Sequence, residues 1–319
     1  MKDQILYYKK AAKIFNNIKN ELINNILLKN NITIKDIVEF IENKIKLDTN
    51  YDYKNPLLGG IAFPSCIGIN NIIAHYTPTL KSNNYIIKKN DLIKIDFGVH
   101  INGFIIDSAF TFSKSHKFDE LINIGKKTNN YALKLCKPDK NIYELGKDIE
   151  EYVESKEITI NNKTYNLSTI KNLSGHDITR FNIHGGKTIP SYPNEKFINN
   201  KILENDIISI EPFITTNERI ALKGNYYTIF QLNNNNTNFN KINKNEKKLL
   251  FDIKNNFNNL AFSYKYIKND FNLSNKNIFD NLILKKFIKK DSNFYVKNSY
   301  VTHFESNAII TKNGNIRLT

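Results

Sequence analysis

The chain has 319 residues, 40% hydrophobic and 12% aromatic, with a formal net charge of +15. That is enough apolar material for one large domain or two small ones, yet no apolar run approaches the roughly 18–20 residues that cross a bilayer. The opening MKDQILYYKKAAK lacks the apolar core of a secretory signal, and two cysteines, Cys66 and Cys136, make no disulfide framework, so a reducing compartment, most simply the cytosol, is expected.

Residues 3–29 place Ile5, Tyr8, Ala11, Phe15, Ile18, Leu22 and Ile26 at helical spacing, with Asp3 as a cap. A second helix over 35–46 has Ile37, Val38, Ile41 and Ile45 as its stripe, with Phe40 off it. Pro56 and Gly59-Gly60 break the chain before a loop and strand region over 59–78 that ends in His75-Tyr76-Thr77-Pro78.

Residues 92–112, LIKIDFGVHINGFIIDSAFTF, read as a β-hairpin turning at Asn102-Gly103. Counting outward pairs Ile101 with Phe104, Val99 with Ile106, and Gly98 with Asp107. Alternation then puts Asp96 on the face of Gly98 and Asp107, so the two acids are diagonal neighbours with Gly98 leaving space opposite Asp107. Strands disfavour Asp, and adjacent acids repel. A bound cation, a shared proton or nearby Lys or Arg would compensate them; otherwise both lie on a solvent face.

Two amphipathic helices follow over 118–136 and 141–155, then a short hairpin over 158–167 around Asn161-Asn162. His176 and His184 sit in a Gly-punctuated stretch, 172–190, and Glu211 in an apolar strand, 206–215. The polar run 233–236 suggests a loop, and 243–269 and 275–289 are helical in pattern. A last strand, 299–311, carries Glu305. Helices followed by acid-bearing strands thus occur twice.

Asp96, Asp107, Glu211 and Glu305 with His176 suit two divalent metals sharing bridging oxygens, and such a pair supports hydrolysis. No GxSxG elbow, HExxH, P-loop or zinc-type Cys/His spacing is present. Of the other histidines, His75 and His184 are as readily structural as functional. His100 suits a structural hydrogen bond, His116 an exposed loop, and His303 shares a strand face with Glu305.

The blocks GIAFPSCIGINNIIAHYTP, KIDFGVHINGFIIDSAFTF, NLSGHDITRFNIHGGKTIP, SIEPF and HFESNAII, in this order, closely resemble methionine aminopeptidase type 2. The resemblance implies an α+β pita-bread fold over residues 1–319: a curved antiparallel sheet, outer helices and pseudo-twofold symmetry. It also implies a helical insertion over 224–298, for which the long interval between Glu211 and Glu305 leaves room. Type 1 enzymes, prolidase and aminopeptidase P share the ligand pattern but have a shorter connection there.

The implied activity is removal of the initiator methionine from nascent chains before a small second residue, with two divalent metals (Co, Mn, Fe or Zn). Implied ligands are Asp96, Asp107, His176, Glu211 and Glu305, with Asp107 and Glu305 bridging. Implied catalytic residues are His75, His184 and Glu211, the last as proton shuttle; His75 and His184 also contact substrate, and Phe63 and Ile183 line the methionine pocket. Departures are Tyr226 or Tyr227 where the family has a pocket histidine, KKDSNFYVKNSY where it has a tyrosine-bearing segment, and His303 where it has Gln.

Expected partners are nascent N-termini, with a monomeric chain and no membrane or specific nucleic acid. Lys and Asn are spread along the whole chain, so the charge reads first as compositional drift and only second as a surface for RNA or ribosome contact. Some pita-bread relatives lost their ligands and only bind; the full ligand set here speaks for an enzyme.

Overall fold

The computed structural model describes residues 2–79, 85–270 and 276–319. Helix α1 (Lys2–Glu21) begins ahead of Asp3 and runs into one π-type turn, Leu22–Ile26, closed by the Leu27 N–H on the Leu22 carbonyl. Helix α2 (Ile34–Asp48) is held at its start by a capping box: Thr33 and Asp36 each accept the other's backbone N–H. Its stripe is buried as the spacing predicts, and Phe40, half-buried, packs against the same core.

Strands β1 (Gly59–Ile69), β2 (Ile72–Ala74), β3 (Ile93–Ile101) and β4 (Phe104–Phe112) follow. Asn102 and Gly103 both have positive φ, 52° and 80°, as a two-residue turn matched to strand twist requires. The register is the one counted from the sequence: Ile101 opposite Phe104, Val99 opposite Ile106, Gly98 opposite Asp107. Ile95, Phe97, Val99, Ile106 and Phe110 turn outward onto α1 and α2, where Phe15 stacks on Phe97 at 4.3 Å. That burial leaves Asp96, Gly98 and Asp107 on the inner face.

One expectation fails here. Gly98 does not leave space opposite Asp107. Strand β1 is irregular on either side of Phe63, which pairs with Gly98. A Cβ at Gly98 would lie 2.3 Å from Phe63 Cε1, so the aromatic ring fills the room.

Helices α3 (Asp119–Leu135) and α4 (Ile142–Glu154) lead to strands β5 (Glu157–Ile160) and β6 (Lys163–Asn166), a hairpin turning at Asn161 and Asn162, both with positive φ. Strands β7 (Ser168–Thr169), β8 (Ser174–Asp177), β9 (Thr188–Pro190), β10 (Ile207–Ile210) and β11 (Phe213–Thr215) complete this half. The single strand expected over 206–215 is therefore two, broken at Glu211-Pro212, where proline cannot continue the ladder.

The segment 224–298 is not helical throughout. Strand β12 (Leu222–Leu232) and strand β13 (Ile288–Tyr295) pair antiparallel at its two ends and enclose α5 (Lys244–Phe257), α6 (Tyr264–Asp270) and α7 (Lys276–Leu284). The helix expected over 243–269 breaks at Asn258, whose φ is 52°, and Phe262 forms a bridge with Phe230 instead. The helix expected over 275–289 stops at Leu284, and residue 275 lies outside the described residues. A separate apolar cluster, including Phe230, Phe262, Phe279 and Phe287, holds this part together.

Strands β14 (Val301–His303), β15 (Ser306–Thr311) and β16 (Gly314–Arg317) close the chain. The strand expected over 299–311 is again two, broken at Phe304-Glu305. Because β10 pairs with β15 and β11 with β14, the two breaks lie side by side. Ala109 and Glu305 exchange backbone hydrogen bonds of 3.4 and 3.0 Å, which join β4 to that break and carry the first sheet into the second. Leu133 of α3 and Ile142 and Leu145 of α4 cover the outer side chains Ile208, Ile210, Ala308 and Ile310. Each half thus has two outer helices and inner antiparallel strands. Among the described residues, no helix is long and apolar enough to cross a membrane.

Candidate metal centre

The inner face of the sheets carries the polar residues that the sequence singles out. Every expected site residue lines one small cavity of about 80 Å³: Asp96, Asp107, His176, Glu211 and Glu305 at its floor, His75 and His184, and the apolar Phe63 and Ile183. The five acid and histidine side chains come from four separate stretches. Asp96 and Asp107 come from the hairpin β3–β4, His176 from β8, and Glu211 and Glu305 from the two strand breaks.

The donor atoms stand close together without bonding. His176 Nε2 lies 3.5 Å from Asp107 Oδ2 and 3.6 Å from Glu211 Oε1. The sets Asp107–His176–Glu305 and Glu211–His303–Glu305 each keep one ligand atom per residue within 4.8 Å of the others. Asp96 Oδ1, His75 Nδ1 and both ring nitrogens of His303 are buried without a hydrogen-bond partner. Burial first, and then the neighbouring carboxylates with Asp107 foremost, push the carboxyls of Asp96, Glu211 and Glu305 well above the usual range. Burial pulls His75 below the usual imidazole value and His303 down to about 3.

The four carboxylates of Asp96, Asp107, Glu211 and Glu305, in a cavity that Asp291 also lines, need positive charge. Among the described residues, no Lys or Arg pairs with any of them; the ring nitrogens that approach Asp107, Glu211 and Glu305 belong to His176 and His303. Unpartnered buried oxygens and nitrogens, converging donors and an acid-rich inventory are what a divalent metal centre requires. The residues fit such a group.

The supporting polar residues were not singled out from the sequence. Ser209 donates to Glu305 Oε1, Asn307 Nδ2 donates to Ser209 Oγ at 2.9 Å, and Asn307 Oδ1 accepts the Asp107 N–H at 2.7 Å. Strand alternation is the signal that finds these two, because Ile208, Ile210, Ala308 and Ile310 point outward. Asn129, reaching in from α3, donates to the carbonyls of Ile210 (2.6 Å) and Phe304 (3.1 Å), the residues just before the two glutamates. No pattern in the sequence marks it.

Other placements are plain. His75 has a left-handed backbone, φ 58°, and its ring meets Phe294 of β13 edge-on at 5.4 Å. The rings of His176 and His184 meet edge-on at 4.4 Å. His100 accepts the Gly103 N–H at 3.3 Å, a structural role, and exposed His116 pairs with Asp119. Neither Tyr226 nor Tyr227 takes the place of a pocket histidine: both are exposed, and Ile229 and Gln231, further along β12, line the cavity instead. Irregularities in the pairing of β12 with β13 between Lys223 and Ile229 set which side chains turn inward.

The model of metallopeptidase family M24 matches residues 7–235. Methionine aminopeptidase 2-2 of Neosartorya fischeri is 31% identical over 319 residues, which cover 96% of this chain and 66% of that protein. The chain thus spans somewhat under two thirds of that relative's length. Among solved structures, that of a thermophilic Arx1 superposes with a TM-score of 0.79 at 17% identity, covering 99% of this chain and 90% of that one. A methionine aminopeptidase from Thermotoga maritima superposes with a TM-score of 0.66, also at 17% identity, covering 100% and 97%. These structural likenesses carry the fold, the pita-bread arrangement expected from the motifs.

Proposed function

This chain belongs to metallopeptidase family M24, and we propose that it is a methionine aminopeptidase that removes the initiator methionine of nascent chains before a small second residue. The observation that carries this reading is the convergence of Asp96, Asp107, His176, Glu211 and Glu305 on one cavity that also holds His75, His184, Phe63 and Ile183. A ligand-free binding protein has no use for that set.

Asp96, Asp107, His176, Glu211 and Glu305 would hold two divalent cations. When bound, the cations polarise the scissile carbonyl and lower the pKa of the attacking water. Glu211 takes the proton of that water and hands it to the departing amide nitrogen. His75, whose backbone is left-handed, would bind near the substrate amine and scissile amide. His184 donates to the peptide carbonyl as negative charge develops on its oxygen; one such donor is typically worth about 3–4 kcal/mol. Phe63 and Ile183 offer apolar walls to the methionine side chain, and burying that chain selects it over polar ones. An acid-rich set accepts Co, Mn, Fe or Zn, and the donors do not choose among them.

Methionine release from Met-Gly-Met-Met tests the reading in the presence of Co(II), Mn(II) or Fe(II). Release by the wild-type chain and its loss in Asp107→Asn is the expected result. A folded protein that releases nothing with any of these metals would refute it.

A further inference from the structure

His303 has no place in the ligand set above, yet its surroundings are those of a ligand. It is 2% exposed, and neither ring nitrogen has a hydrogen-bond partner. Its Nε2 lies 3.4 Å from Glu211 Oε2 and 3.6 Å from Glu305 Oε2. Those separations are too long for good hydrogen bonds. They match two donors that each sit about 2.1 Å from one tetrahedral ion, which are about 3.4 Å apart. The spacing also repeats that of His176, at 3.5 Å from Asp107 and 3.6 Å from Glu211. Glu211 therefore lies between two imidazoles, Oε1 toward His176 and Oε2 toward His303.

The ring is not free to turn away. It stacks on Phe213 at 4.0 Å and 15°, its register partner across β11–β14. Thr111 Oγ1 accepts the His303 N–H (2.8 Å) and donates to its carbonyl (2.9 Å), fixing the backbone beneath.

We propose that His303 is a sixth protein ligand of the metal centre, binding through Nε2 together with Glu211 and Glu305, so that the centre carries two imidazoles instead of one. The proposal rests on reading this cavity as a metal centre. A second imidazole makes the donor set softer and favours Zn, Co or Fe over Mn.

X-ray absorption on the zinc-loaded protein counts imidazoles directly, and titrations with Co(II) and Mn(II) report preference. His303→Gln is expected to remove one imidazole from the loaded centre. It should weaken Co(II) binding at least about tenfold, the scale of a lost ligand-shell contact, while changing Mn(II) binding much less. An unchanged imidazole count, or equal losses for the two metals, would overturn the proposal. Should the variant not fold, the cobalt-loaded wild-type protein decides. Two hyperfine-shifted exchangeable imidazole resonances support it, and one overturns it. Metal bound through a single imidazole defeats only the role of His303, whereas a folded protein that binds no divalent metal defeats the enzyme reading as well.

Discussion

The ring of Phe63 occupies the space that any side chain at Gly98 would need: a Cβ there would lie 2.3 Å from Cε1 and 2.6 Å from Cδ1 of that ring. Phe63 is held by the irregular pairing of β1 with β3, so one wall of the cavity and the hairpin that carries Asp96 and Asp107 are fitted to each other. Gly98→Ala is expected to displace the ring and to cost about 1–3 kcal/mol of stability as overpacking. Methionine release should fall in kcat/KM, with partial recovery in Gly98→Ala/Phe63→Leu. Urea unfolding and peptide kinetics on the three proteins check this; a wild-type kcat/KM in Gly98→Ala counts against it.

Asn129 ties the two strand breaks together through the carbonyls of Ile210 and Phe304, and its own carbonyl accepts from Ser306 Oγ at 2.7 Å. Asn129→Ala removes the donor shared by these two carbonyls and the acceptor of Ser306 Oγ. The expected cost is about 1–3 kcal/mol. Because each carbonyl precedes a ligand, metal affinity should drop as well. Chemical denaturation and isothermal metal titration measure the two effects separately. A destabilised variant with unaltered metal affinity would show that Asn129 serves the fold alone.

Ser209 donates to the Glu305 carboxylate, reaches the Asp107 carbonyl at 3.5 Å, and accepts from Asn307 Nδ2. In Ser209→Ala the carboxylate loses its donor but keeps its place on the chain. Metal affinity is expected to fall about 10- to 100-fold, the range for partners that orient a ligand. Stability of the metal-free protein should fall by about 1–3 kcal/mol, since the buried Asn307 amide loses its acceptor as well. Thermal melts with and without metal reveal the difference; equal losses in both states contradict it.

Metal removal should make stability depend on pH with a definite sign. Asp96, Glu211 and Glu305 have carboxyls raised in the folded chain by burial and by one another. A raised group contributes stability below its unfolded value, about 4, and that contribution is lost as pH rises. His303, pulled down to about 3 by burial, acts in reverse: it destabilises in acid, and the penalty vanishes above the unfolded imidazole value of about 6.5. Below about pH 6.5 the two trends oppose each other; above it the carboxylates remain. As pH rises through the range in which these buried carboxyls ionise, the melting temperature of the metal-free protein should therefore fall, and the increase on adding Mn(II) should widen. A gap that stays constant over this interval would contradict the buried-carboxylate account.

Much of the molecule was legible in the residues alone, and the reason is local. Asn102-Gly103 admits positive φ at both turn positions, so the hairpin register and the shared face of Asp96 and Asp107 follow by counting. Helical periodicity marked α1 to α4 because each buries one stripe against a sheet. The blocks around His75, His176, Glu211 and Glu305 pointed to residues that the fold brings to one cavity. What the sequence left open depends on contacts between distant segments. Whether Glu211 and Glu305 sit within strands or at breaks depends on two sheets meeting there, with Asn129 donating across the gap. The filling of Gly98 by Phe63, the exposure of Tyr226 and Tyr227, and the strands at both ends of 224–298 are set by pairings that no short window contains. His303 shows the division most sharply. The sequence placed it on the face of Glu305, and only the packing of β11 against β14 aims its unpartnered nitrogen between two carboxylates. Alternation along a strand is a property of the chain; the approach of three elements to one point is a property of the fold.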